Sequence, residues 1–265
     1  MTTPRLFLFC ICLTGSGTVL ADSSISGSLA LTSDYLFRGL SQTWGRPALQ
    51  GGVDWNAGRL HAGASASNVS RNSYPGGVVE LDLFADAAVW QQGEWTARIG
   101  GYAYRYPGAN LERARPALPS RGFDTLEANL SLQWRHWTLK YSRALGDYFG
   151  ADVEQGFTGI TRGTDYLQLD GEVPLSPRWN LRLHAGCTHY ATNLAVSLAN
   201  GARDPSYVDL ALAAGYALNR RWTLAATLSH SSNAAFYAHV ASFRDPTVTK
   251  DLGGTRSFLT LSATL

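Results

Sequence analysis

Thirteen ionisable side chains fall on one parity of an alternating pattern: Asp34, Arg38, Glu80, Asp82, Asp86, Arg98, Glu127, Lys140, Asp170, Glu172, Arg182, His184 and Asp209. The positions between them are mostly apolar, so strands carrying them place them all on one face. The signs are mixed. Segments adjacent in the chain offer the pairs Glu80 or Asp82 with Arg98, Glu127 with Lys140, and Glu172 with Arg182. Asp34 and Arg38 offer a further pair within one segment. In a dry enclosure such groups form ion pairs that fix strand register. In a wet one they set the field that a passing solute feels. Acids outnumber bases on this face, which leans toward cations. No His-x-x-x-His pair or Gly-rich phosphate loop is present, and Cys187 has no partnering histidine pattern. No metal and no cofactor is expected.

The elements that must hold these groups read as strands throughout. In residues 78–90, Val79, Leu81, Leu83, Ala85, Ala87 and Val89 alternate with Glu80, Asp82, Phe84, Asp86 and Ala88. Three acids on one face argue against a packed sandwich core, where unpaired carboxylates are costly. Residues 25–37 set Ile25, Leu29, Leu31, Tyr35 and Phe37 against Ser26, Ser28, Thr32 and Asp34, with Arg38 next on the polar parity. Residues 123–134 and 254–265 repeat the pattern. About twelve such segments occur, and no stretch after the N-terminus approaches the roughly 18 apolar residues of a spanning helix.

Connections after the even-numbered segments are short and most odd ones are long; the first odd one, 39–45, is brief. This is the asymmetry of an outer-membrane barrel with short periplasmic turns. The fold expected is all-β, a transmembrane antiparallel up-and-down barrel of about 12 strands, closed by pairing the last strand with the first. Trp90, Trp95, Trp134, Trp137, Trp179 and Trp222 sit beside the short turns and form a membrane-interface girdle on this reading. The partners expected are outer-membrane lipid and small solutes. With 22 Lys and Arg against 20 Asp and Glu, no basic field for nucleic acid exists. Oligomeric state is not encoded legibly.

The N-terminus reads as a leader. Arg5 precedes an apolar run from Leu6 to Leu13, and Val19-Leu20-Ala21 offers a small-residue cleavage site. Residues 1–21 are expected to be a signal peptide and 22–265 one barrel domain, exported through the periplasm to the bacterial outer membrane. Two of the three cysteines leave with that leader, so no internal disulfide is expected.

Two resemblances add to this. Leu31-Thr32-Ser33-Asp34-Tyr35-Leu36-Phe37-Arg38-Gly39-Leu40-Ser41-Gln42-Thr43, followed by Pro47, Ala48 and Leu49, resembles the opening signature of the TorF-like family of outer-membrane porins. Gly63 to Ser70 and Glu80-Leu81-Asp82 continue it. The resemblance implies an exported barrel and leaves the solute open. Arg38 is expected to end the first strand near the outer rim, paired with Asp34, or to contact solute there. Separately, His230-Ser231-Ser232-Asn233-Ala234 resembles the His-x-Ser-Asn segment of outer-membrane lipid A deacylases. That resemblance implies His230 as general base and Ser232 as nucleophile on the lipid-facing wall. The glutamate that the family places about a dozen residues on is missing here; Arg244 occupies that region, with Asp245 adjacent and Asp251 further on. Three functions therefore stand: a channel for small solutes, a structural barrel with a plugged lumen, and a lipid hydrolase.

Overall fold

The computed structural model describes residues 23–265; the leader expected over 1–21 lies outside the described residues. The wall consists of β1 Ser23–Thr32, β2 Ala48–Ala57, β3 Leu60–Asn68, β4 Val79–Gln92, β5 Trp95–Arg105 and β6 Thr125–Trp134. It continues through β7 Trp137–Ala144, β8 Asp165–Pro174, β9 Trp179–His189, β10 Tyr207–Ala217, β11 Trp222–Ser231 and β12 Gly254–Thr264. Each strand pairs antiparallel with its chain neighbour. β12 returns to β1, with Leu29 opposite Ala263 and Leu31 opposite Leu261. Every wall strand then has two partners, and no backbone edge is left unpaired.

Period-two patterning builds this wall. In β11, Trp222, Leu224 and Leu228 are exposed on the outside, while Thr223, Ala225, Thr227 and Ser229 are buried inside. The same alternation puts Leu81, Ile99, Leu130, Leu169 and Leu212 on the outer surface. A bulge between Ala88 and Trp90 lets both Val89 and Trp90 face outward.

Tight turns at 58–59, 93–94, 135–136, 175–178 and 218–221 lie at one end. The connections 33–47, 69–78, 106–124, 145–164, 190–206 and 232–253 lie at the other. All six are long, which corrects the expectation of a brief first connection. The first strand was expected to run to Phe37, but the wall ends at Thr32. The chain then turns inward. Leu36–Phe37 pairs with Leu40–Ser41 as a small hairpin. Its two-residue turn is Arg38-Gly39, both with positive φ (49° and 75°), the turn geometry whose twist suits a hairpin. Tyr35 and Phe37 therefore do not continue the outer face. Tyr35 is buried in an aromatic cluster with Tyr102, Tyr104 and Tyr106, and Phe37 packs against it. Alternation assigns a face only while a strand stays in the wall, and here it leaves.

Candidate functional site in the barrel lumen

The thirteen residues of the polar parity lie on the inner face or on the inward hairpin, and they form separate networks. Arg38, at the hairpin tip, donates to both carboxylate oxygens of Glu127 on β6, at 2.9 and 2.7 Å, and to the Tyr148 hydroxyl at 2.8 Å. Its guanidinium lies 4.1 Å from the centroid of the Tyr166 ring. Arg38 thus crosses the lumen instead of pairing with Asp34, because the hairpin carries it away from the wall. Asp34 instead accepts from Ser41 (2.6 Å) and Thr43 (3.0 Å) inside the inward segment and from Arg256 of β12 at 3.2 Å.

The other expected pairs change partners too. Arg98 bonds Asp86, not Glu80 or Asp82. Asp86 also meets His61 Nδ1 at 3.0 Å, and His61 Nε2 meets Asp54 at 3.2 Å. Lys140 sits over the Tyr102 ring at 5.0 Å, while Glu127 is taken by Arg38. Glu80 accepts from Tyr35 at 3.1 Å and Asp82 from Ser65 at 3.1 Å. On the opposite wall His184 bridges Asp170 (2.6 Å) and Asp209 (2.8 Å), and the Tyr166 hydroxyl donates to Asp209 at 3.2 Å. Glu172 and Arg182 do face each other, at 3.8 Å. These pairings fit a densely filled interior; buried Asp54, Asp82, Glu127, Asp170 and Asp209 each find donors there.

Sequence reading missed Asp54, His61, Tyr102, Tyr104, Tyr148, Tyr166 and Arg256 as members of these networks. His61 was legible in part: it sits directly opposite Asp86 in the β3–β4 register. Tyr102 likewise sits directly opposite Glu127 in the β5–β6 register, and Asp54 lies on β2 beside His61 on β3. The reach of Arg38 to Glu127 and Tyr148 depends on which residues face each other across the lumen, and strand alternation carries no such information. Lumen-facing glycines act as gaps for large neighbours. A Cβ at Gly186 would strike the Tyr166 phenol and the Asp209 carboxylate. One at Gly39 would lie 2.7 Å from the Asp209 Cβ, so the hairpin tip presses against β10.

The long loops close over the hairpin. Asn110 N–H donates to Pro75 O at 2.9 Å, Arg115 to Phe243 O at 2.7 Å, Phe243 to Asn72 O at 2.9 Å, and Ser70 to Gln42 O at 2.9 Å. Tyr74 and Tyr106 stack at 4.2 Å beneath them. Burial pushes both phenols above their ordinary range, and pushes Tyr148 up to about 12 against the opposing pull of Arg38.

Filling is uneven around the axis. Phe84, Arg98, Tyr102, Tyr104, Lys140 and Tyr166 crowd the side from β4 to β8. The side from β10 through β12 to β2 presents mostly smaller residues, Ala213, Ala225, Thr227, Thr260, Thr32 and Gln50, with Phe258 among them, and a cavity remains against it, bounded by the inward segment at Asp34, Tyr35 and Leu36 and by Arg182.

His230 and Ser232 are not brought together as a catalytic pair. His230 is exposed on the outer wall with Nδ1 2.9 Å from Thr255 Oγ1. Ser232 Oγ accepts from Val208 N–H at 2.8 Å, and Asn233 donates to the carbonyls of Asp204 and Ser206. Asp245 accepts from Thr247 and Asp251 from the His239 N–H, so neither orients His230. The six tryptophans lie at the short-turn end. Trp90, Trp95, Trp134, Trp179 and Trp222 are exposed on the outer wall. Trp95 stacks with Trp134 at 5.6 Å, and the Trp137 ring lies across Gly171.

No curated protein matches the chain. Among solved structures, the NanC porin is similar with a TM-score of 0.52 at 10% identity, covering 91% of this chain and 98% of its own. A structure from a study of in-meso crystallization of membrane proteins gives 0.49 at 7% identity, covering 91% and 83%. The KdgM porin gives 0.47 at 5% identity, covering 92% and 98%. At such identities the likeness to the NanC porin is one of fold. A family model described as "Bacterial protein of unknown function (Gcw_chp)" matches residues 18–257, and the chain belongs to that family.

Proposed function

We propose that this protein is an outer-membrane channel of the porin type, passing small solutes along the small-residue side of its lumen. The observation that carries the reading is a closed barrel whose outside is apolar and whose inside is ionic. Leu130, Ile99 and Leu228 are each more than half exposed (54%, 55% and 55%) on a continuous outer wall. An apolar belt of that extent suits hydrocarbon, and a closed sheet is one of two structures that can satisfy its backbone there. The tryptophan ring at the short-turn end fits the headgroup interface, with those turns and both ends of the described chain on the periplasmic side. The resemblance to the TorF-like porins supports the same reading; part of the stretch that carries it, residues 36–41, is the hairpin that enters the lumen. Acids do not set the field along the open side: Asp34 is held by Arg256, Ser41 and Thr43.

Reconstitution in planar bilayers tests this. Discrete, reproducible conductance steps are expected, small in size because the hairpin and aromatic cluster leave little free section. A folded barrel that never conducts would overturn the channel. A second reading, a structural barrel with a plugged lumen, is favoured by the hairpin itself and by the loops bonded over it.

A further inference from the structure

We propose that two neighbouring turns, 175–178 and 218–221, form a headgroup site for an anionic phospholipid of the leaflet that the short turns face, with Arg178, Arg220 and Arg221 on its phosphate. The proposal rests on the outer-membrane reading above and adds a partner to it. Charge is distributed unevenly between the two ends of the barrel. The six long connections carry ten Lys and Arg against nine Asp and Glu. The five short turns carry Arg59, Arg135, Arg178, Arg220 and Arg221 against Glu94 alone. Glu94 is taken by Arg135 on the next short turn. Among the described residues, Arg178, Arg220 and Arg221 enter no ion pair, and all three are exposed.

The two turns lie side by side because β9 pairs with β10. Ala217 N–H donates to Arg178 O at 2.8 Å, and Arg178 Nη1 donates to the Tyr216 hydroxyl at 3.2 Å. Tyr216 shares the outward parity of Leu210 and Leu212, so this bond draws the Arg178 guanidinium to the outer side of the wall. Trp179 packs on Tyr216 with ring centroids 4.8 Å apart, and Trp222 directly follows Arg221. Indole rings settle at the headgroup layer, so guanidiniums beside them stand at the level of lipid phosphates. The turns are held in place: Ser176 Oγ accepts from the N–H groups of Arg178 and Trp179, and Asn219 Oδ1 from those of Arg221 and Trp222. At four residues each they are too short to lift the arginines off the membrane toward a soluble partner. Neither turn contains an acid. Glu172, on β8, accepts from Asn180 at 2.6 Å on the lumen side. Guanidinium groups bind phosphate through paired N–H donors, which suits a phosphodiester headgroup that carries a net negative charge.

The girdle supplies the readout. The full barrel is reconstituted in phosphatidylcholine vesicles, and quenching of tryptophan fluorescence is compared for chain-brominated phosphatidylglycerol and chain-brominated phosphatidylcholine. Wild type is expected to prefer phosphatidylglycerol by at least about threefold, less at high salt. The triple variant Arg178→Gln/Arg220→Gln/Arg221→Gln is expected to lose that preference. Arg115→Gln/Arg162→Gln/Arg244→Gln removes the same charge from the loop end and is expected to keep it. Heat-modifiable migration on gels confirms that each variant is folded. Equal preference in wild type and the turn variant, or the same loss in both triple variants, overturns the site. Abolition of the preference by millimolar inorganic phosphate would assign the arginines to a free anion and overturn the lipid. Bilayer conductance is recorded on the same protein. Conductance steps with equal quenching by the two lipids would sink the site and spare the channel. No quenching by either lipid would mean that the tryptophans do not meet hydrocarbon, and the membrane reading would fall with the site.

Discussion

Arg38 and Glu127, 89 residues apart in sequence, meet through two hydrogen bonds in the lumen and so tie the inward hairpin to the far wall. The pair is almost fully buried, with side chains 5% and 2% exposed. Arg38 holds positive φ to reach this position, a conformation that a non-glycine residue adopts at a cost its contacts must offset.

Removing one partner strands the other charge. Arg38→Ala or Glu127→Gln is expected to destabilise the barrel by about 3–5 kcal/mol, the cost of breaking a buried pair from one side. Urea unfolding in lipid vesicles measures this. The double variant Arg38→Ala/Glu127→Ala is expected to cost clearly less than the sum of the two single alanine variants. Additive losses would mean that the two side chains do not interact.

The hairpin is expected to limit ion flow. Replacing residues 36–41 with a short glycine linker opens the section it now occupies, and single-channel conductance is expected to rise several-fold. Unchanged conductance in a folded barrel would place the constriction elsewhere.

Gly39 combines a positive φ of 75° with close approach to Asp209. Gly39→Ala is expected to lower stability by at least about 1 kcal/mol from the left-handed backbone alone, with the clash adding to it. Gly58, which also has positive φ but no heavy atom within 4 Å of a built Cβ, is the control. Its alanine variant should lose only the backbone part. Equal losses at the two sites would remove the evidence for packing of the hairpin tip on β10.

Alkaline pH should loosen the loop end. Tyr148 is pushed up to about 12 by burial, and Tyr74, Tyr106 and Tyr190 are raised above the ordinary 10 for the same reason. Each binds its proton more tightly folded than unfolded. The contribution of Tyr148 is therefore complete below pH 10 and is lost as pH rises through about 12, and those of the other three likewise decline only above pH 10. Ultraviolet phenolate titration is expected to show exposed tyrosines ionising first and a later group ionising together with unfolding. A single transition near pH 10 for all tyrosines would contradict the buried cluster.

Much of the wall was legible in the sequence, and the lumen much less so. Runs such as Leu126, Ala128, Leu130, Leu132 and Trp134 against Glu127, Asn129, Ser131 and Gln133 state both the strand and its two faces. The tight turns followed from the tryptophans and polar residues that bracket them. Tyr35 and Phe37 kept the outward parity but lie inside, because the chain leaves the wall after Thr32. Phe37-Arg38-Gly39-Leu40 held a signal that went unused: Arg-Gly between apolar residues suits a two-residue hairpin turn. Arg38 with Glu127 was not legible, since the two are not adjacent in strand order, whereas Asp34 and Arg256 meet at the β12–β1 seam whose closure the sequence does predict. Closure of the ring brings β12 beside β1, and curvature brings β6 within reach of the hairpin.

The most direct test of the account is spin-label accessibility along β6 in lipid vesicles, one label at a time through residues 126–132 in a Cys187→Ser background. The account predicts high oxygen accessibility at 126, 128, 130 and 132 and low values at 127, 129 and 131, a strict two-residue period. A uniform profile, or the reverse phase, would show that the leucine face does not meet lipid, and the membrane-spanning barrel would have to be abandoned.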